Sequence, residues 1–201
     1  MIGVINYGIG NVQSLVRACG FSGLDVVVVS KPSEISKFSQ IVLPGVGNFD
    51  VAINKLKASG FGEVIQSFVT NLNNKVLGIC VGGQVLGHSS EEGKAIGLNL
   101  LPMRSVRLDC RMRPVPHMGW SETKWAADDI FGFACKPQRY YYSHSFVFQP
   151  SSSAKVIATF AYDGSWPAAV TRGNIMAVQF HPEKSQRYGT EFLRWFTAWR
   201  T

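Results

Sequence analysis

Charge is scarce in this chain. Charged residues make up 16% of the 201 positions, and acidic residues number 13 against 20 lysines and arginines. Histidine occurs four times and cysteine four times. The cysteines (Cys19, Cys80, Cys110 and Cys135) stand far apart with no C-x-x-C pair, which argues against a zinc site or a redox dithiol and for free thiols in a reducing compartment. No apolar run is long enough to cross a bilayer, and the start, MIGVINYGIG, has no positive n-region before its glycines. These absences read as a cytoplasmic protein with no membrane partner. No linker, repeat or low-complexity segment interrupts residues 1–201, so one domain is expected, and a hydrophobic content of 46% supplies its core.

The net charge of +7 suggests an anionic partner or substrate. Basic residues cluster in RSVRLDCRMR, residues 104–113, where Arg104, Arg107, Arg111 and Arg113 face one acidic residue. A solvated hairpin is the plainer reading and a docking surface the sharper one. No recognisable module supports nucleic-acid binding.

Short runs rich in Val and Ile, at 2–6, 25–29, 40–44 and 75–79, predict buried strands. Helices are expected between them at about 10–20, 50–59, 62–73 and 82–88. This alternation predicts an α/β fold, a flavodoxin-like, doubly wound, mostly parallel sheet. The second half reads as antiparallel additions at 105–109, 140–148, 155–162, 167–171 and 175–180, with Gly173-Asn174 as a hairpin turn. A last helix is expected from Ser185 as N-cap, with Tyr188, Phe192, Trp195, Phe196 and Trp199 on its core face.

Three predicted strand ends carry chemistry-bearing residues. At the first, GICVGGQ (78–84) places Cys80 between a strand and a helix, flanked by the small residues such a turn demands. A helix N-terminus there would favour the thiolate. On this heptapeptide alone Cys80 reads equally well as a nucleophile or as a buried structural thiol. At the second, His181-Pro182-Glu183 offers a base and a carboxylate to orient it; alone, it reads as well as a surface His-Pro turn. At the third, PGVGNF (44–49) offers backbone N–H groups for an oxyanion, although an ordinary tight turn explains it better in isolation. Together they converge on the edge where open α/β sheets bind ligands. Gly8-Ile9-Gly10 lacks the third glycine of a dinucleotide fingerprint, because Gln13 stands there.

NYGIGNVQSL (6–15), LPGVGNFD (43–50), GICVGGQ (78–84), SEEG (90–93), PHMGW (116–120), YYSHSF (141–146) and QFHPEKSQ (179–186) together resemble the class I (triad) glutamine amidotransferases. More narrowly, they resemble the glutaminase subunits of imidazole glycerol phosphate synthase. The resemblance implies a catalytic triad of Cys80, His181 and Glu183, with Val46 and Val81 N–H groups as the oxyanion hole. It implies glutamine binding by Gly47, Gln84, Glu92, His144 and Ser145, no metal and no cofactor. It also implies a heterodimer with a (β/α)8-barrel cyclase that receives the ammonia, docked around Asn11, Met118, Trp120 and Lys184. For His144 and Ser145, adjacent on a predicted strand, one side chain and one backbone contact are expected.

The chain departs from the usual pattern at Asn6, Gly83, His88 and Ser121, where Asp, Met, Glu and Asn are usual. Those departures leave open a paralogous glutaminase that feeds amidation of a surface-polysaccharide sugar. A cysteine γ-glutamyl hydrolase and a non-catalytic scaffold are the readings of other classes.

Overall fold

The structure is a computed structural model, and it describes residues 1–126 and 138–199. The expected free thiol of Cys135 lies outside them. Among the described residues a nine-stranded sheet runs in the order β2-β1-β3-β4-β11-β10-β9-β6-β7. Its first half is β1 (Ile2–Ile5), β2 (Val26–Val29), β3 (Gln40–Leu43) and β4 (Lys75–Ile79), all parallel, with β11 (Ile175–Val178) parallel to β4. This is the doubly wound order 2-1-3-4. β3, β4 and β11 are buried almost throughout, so they read as continuous apolar runs rather than alternating ones.

The connections reverse direction after β2, and right-handed crossovers therefore put the helices on opposite faces. Helix α1 (Val12–Phe21) packs against α5 (Gln186–Ala198), while α2 (Phe49–Ala58) packs against α3 (Phe61–Phe68). Asn11 and Asn48 cap α1 and α2 by accepting from the N–H groups of Ser14 and Val51, each at 3.1 Å. The expected aromatic stripe of α5 lies against the sheet: Phe192 and Phe196 are fully buried, and Tyr140 stacks on Phe180 at 4.0 Å.

Two helices are shorter than the sequence predicts. α3 ends at Phe68, five residues early, where Asn74 Nδ2 and Asn174 Nδ2 take the carbonyls of Phe68 and Val69. α4 is a single turn, Val81–Gln84, instead of 82–88. Two glycines weaken it, and the carbonyls of Val85, Leu86 and Gly87 are claimed by the N–H groups of Leu98, Leu100 and Asn99. A one-turn helix carries little of the macrodipole that the sequence reading assigned to it.

The antiparallel half holds β10 (Ser165–Arg172), β9 (Lys155–Ala161), β6 (His117–Trp125) and β7 (Gln138–His144). Gly173 (φ 54°) and Asn174 turn β10 into β11 as expected. β6 was not anticipated, because Gly119 and the polar positions after it break the apolar alternation. The stretch 140–148 is not one strand either. It divides at Ser145 into β7 and β8 (Phe146–Pro150), and β8 leaves the main sheet to pair with β5 (Met103–Arg107). His144 and Ser145 are thus not neighbours on one strand: Ser145 is the bend between two. The basic stretch divides as well. Arg104 and Arg107 lie exposed on β5, and the loop beyond is strapped by Asp163, whose carboxylate accepts from Arg111 N at 2.7 Å and Met112 N at 2.6 Å.

Candidate active site

β4 ends at Ile79, and Cys80 follows at φ 53° and ψ −115°, a conformation that non-glycine residues rarely adopt. The surrounding glycines are dictated by contact. A Cβ on Gly82 would lie 2.0 Å from Leu43 O, and one on Gly78 would lie 2.6 Å from Gly83 Cα. A Cβ on Gly83 would stand 3.0 Å from the Phe148 ring, which occupies space that a longer side chain at 83 would need. The loop after β3 lies directly on this turn, since a Cβ on Gly45 would come within 2.1 Å of Gly82 N. Tyr7 pins the same loop by donating its hydroxyl to Pro44 O at 2.9 Å.

β11 delivers the second group. His181, 1% exposed, follows its apolar run, and its Nδ1 donates to Glu183 Oε1 at 2.8 Å. Cys80 lines the same cavity as His181 and interacts with its ring electrostatically. Burial opposes a charged ring here, yet Cys80 and Glu183 outweigh it and push the His181 pKa up to about 10. Ser185 does not cap α5 with its side chain, as the sequence suggests. Its hydroxyl donates to His181 O at 2.6 Å and accepts from Tyr141 N at 2.9 Å, tying the His181 turn to β7.

A cavity of about 430 Å³ opens over these groups. Cys80, Val81 and His181 line it together with Val46 and Gly47. Gln84, Glu92, His144, Ser145 and also Lys184 complete it. Glu92 accepts from Phe49 N at 2.7 Å at the start of α2, and Asp50 holds the SEEG loop by accepting from Lys94 N and Ala95 N, each at 3.0 Å. Gln84 Nε2 donates to Phe146 O at 3.2 Å, and its Oε1 is buried without a protein partner. Both ring nitrogens of His144 already have protein partners, which leaves its backbone free for the backbone contact expected of one of the pair His144 and Ser145. Asn11, Met118 and Trp120 do not line the cavity. Met118 is 63% exposed and Trp120 37%, and Trp120 meets Tyr141 edge-on beneath Lys184, whose Nζ lies 5.5 Å above that ring. Of the departing positions, exposed His88 lies in a separate shallow cavity beside β5.

Gln179 was quoted within a motif but given no role. It is fully buried, and its Nε2 lies 3.7 Å from Cys80 Sγ. Its signal was a lone amide in the apolar run IMAVQF. Among the described residues, no group of three or more His, Cys, Asp or Glu residues is arranged to hold a metal ion, and no helix is long and apolar enough to cross a membrane.

The sequence profile of the family "Glutamine amidotransferase class-I" matches residues 3–198. Relatives include imidazole glycerol phosphate synthase subunit HisH of Synechococcus sp., 40% identical, covering 97% of this chain and 91% of that one. The subunits named HisH 2 of Pseudomonas aeruginosa and Methanococcus maripaludis are 35% and 33% identical, each with 98% of both chains covered. Among solved structures, a glutamine amidotransferase superposes with a TM-score of 0.78 at 17% identity over 98% of this chain and 97% of that one. PurLQS from Thermotoga maritima superposes at 0.72 with 15% identity over the same shares. These two likenesses speak for the fold, and the profile and the HisH relatives for the family: the chain belongs to the class I glutamine amidotransferases, alongside the HisH subunits of imidazole glycerol phosphate synthase.

Proposed function

We propose that this protein is a cytoplasmic glutaminase subunit that hydrolyses glutamine through Cys80 and hands the ammonia to a (β/α)8-barrel cyclase in histidine biosynthesis. One observation carries the chemistry: a His181–Glu183 pair, hydrogen-bonded at 2.8 Å, shares a cavity with Cys80, which sits at a strained strand end. His181 takes the Cys80 thiol proton as Sγ attacks the side-chain amide carbon of glutamine. The C–N bond breaks as His181 gives its proton to the departing ammonia, leaving a glutamyl thioester. His181 then takes a proton from water, whose oxygen attacks the thioester, and glutamate leaves as Cys80 regains its thiol. Glu183 orients the ring and stabilises its charge. N–H groups of Val46 and Val81 receive the oxyanion. Gln84, Glu92, Gly47 and Ser145 hold the substrate's polar ends, while His144 contributes through its backbone.

Asn11, Met118, Trp120 and Lys184 are proposed as the docking face for the cyclase. An exposed Trp beside a Met and a cation fits the composition of interface anchors. The relatives support this acceptor: those of Synechococcus, Pseudomonas and Methanococcus are each named a subunit of imidazole glycerol phosphate synthase.

Glutamate release from glutamine, followed with and without a cyclase subunit, tests the chemistry. Cys80→Ser is expected to abolish it, and full activity in that variant would refute the reading. Growth of a histidine-requiring strain lacking its own glutaminase subunit tests the pathway. Restored growth supports the cyclase, whereas failure by an active enzyme assigns the ammonia to another acceptor, such as a surface-polysaccharide sugar.

A further inference from the structure

The side chains of Ser121, His117 and His144 form a buried chain that no step above uses. They are 7%, 2% and 6% exposed. Ser121 Oγ lies 2.8 Å from His117 Nε2, His117 Nδ1 lies 3.2 Å from His144 Nε2, and His144 Nδ1 lies 3.0 Å from Phe146 O.

The proton positions follow by elimination. A carbonyl only accepts, so His144 carries its hydrogen on Nδ1. With that ring neutral, Nε2 is bare and must accept, so His117 donates from its own Nδ1. His117 Nε2 is then bare in turn and accepts from the Ser121 hydroxyl. Only one arrangement of two neutral rings satisfies every contact. Burial favours neutrality, holding His144 near about 3 and His117 near about 4, and the positive charge of Arg113 adds to this at His117. Packing fixes the geometry: the His117 ring stacks on Tyr162 at 3.9 Å and on Tyr142 at 4.9 Å.

The chain has a destination. Phe146 O accepts from His144 and, at 3.2 Å, from Gln84 Nε2. Since that carbonyl cannot donate, the Gln84 amide is forced to face it with nitrogen, leaving buried Oε1 as the acceptor beside the cavity. We propose that Ser121, His117 and His144 are positioning residues, a relay of two Nδ1–H imidazoles that fixes the Phe146 carbonyl and thereby orients Gln84 for substrate. The inference rests on the glutaminase reading for what Gln84 contacts, but not for the relay itself.

Two measurements on the full chain separate the two. Long-range 15N–1H NMR at pH 7 is expected to show His117 and His144 both as Nδ1–H tautomers. An Nε2–H pattern in either ring overturns the relay whatever the enzyme does. In kinetics, Ser121→Ala is expected to raise the KM for glutamine about tenfold with kcat nearly unchanged. Ser121→Thr, which keeps a hydroxyl, should restore it. The rate of Cys80 alkylation should be unaffected in both variants. Unchanged KM in Ser121→Ala overturns the proposal, and so does a rise in KM matched by equal losses of kcat and Cys80 reactivity, which would mark a merely structural role. Should the wild-type protein hydrolyse no glutamine, the function falls while the tautomers still judge the relay.

Discussion

Gly45 and Gly82 meet backbone to backbone, so that neither can accept a methyl group: the added carbon would sit 2.1 Å from Gly82 N in one case and 2.0 Å from Leu43 O in the other. The loop proposed to bind the oxyanion and the turn carrying Cys80 are thus a single packed unit. Gly45→Ala and Gly82→Ala are each expected to cost about 1–3 kcal/mol of stability and most of the activity. Gly47→Ala, with open space around it but φ at 97°, should cost about 1 kcal/mol through backbone strain alone. Urea unfolding and glutamate release measured on all three variants check this ranking.

Glu183→Gln keeps the size of the side chain and removes the charge opposite His181. Glutamate release should fall about 10²-fold or more with the fold retained, as read by kcat/KM and circular dichroism. The same charge makes stability depend on alkaline pH. His181 is raised from its ordinary 6.5 to about 10 by Cys80 and Glu183, so its contribution is fully present below pH 6.5 and is lost as pH rises through about 10. Thermal melts should therefore show the wild-type advantage over Glu183→Gln shrinking between neutral pH and that limit.

His117 and His144 have the opposite sign. Both are held below 6.5, at about 4 and about 3, so the unfolded chain binds protons that the folded chain refuses. Stability is full above pH 6.5 and drains away as pH falls towards 4 for His117 and towards 3 for His144. Arg113 faces His117, and His117 and His181 face His144, all opposing a further positive charge. His117→Gln should flatten the acid limb of a urea-midpoint profile, by about 1–3 kcal/mol at pH 4.5 relative to pH 7.

Ser185→Ala removes a hydroxyl that bridges His181 O and Tyr141 N. A loss of about 1–2 kcal/mol is expected, because Tyr141 N loses its acceptor while His181 O keeps only the Lys184 N–H at 3.1 Å. Slower alkylation of Cys80 at pH 7 should accompany it as the imidazole loosens.

Much of this was legible beforehand, and the reasons are local. Buried parallel strands announce themselves as unbroken Val and Ile runs, so β1 to β4 stand near where the sequence puts them. Cys80, His181 and Val46 could be grouped because each follows such a run. What the sequence hid was set by partners distant along the chain. α4 stops after one turn because residues 98–100 claim its neighbours' carbonyls, and a run of aromatic and apolar residues divides at Ser145 because β8 finds β5 forty residues upstream. Ser185 has the right type for a cap, but Tyr141 and His181 compete for its hydroxyl. The engagement of the His144 ring depends on His117, which no local pattern brings near.

The ring of Phe148 also sets the terms on which position 83 can change. A side chain at 83 must displace an aromatic ring, and shrinking that ring alone leaves a hole beside the nucleophile turn. A Cβ at 83 would also come within 3.1 Å of Ala177 Cβ and of the Gly78 carbonyl, so relief at Phe148 alone does not open the position. A bulky residue at 83 therefore has to be matched by changes at three surrounding positions, one of them backbone, and packing by itself keeps glycine in place.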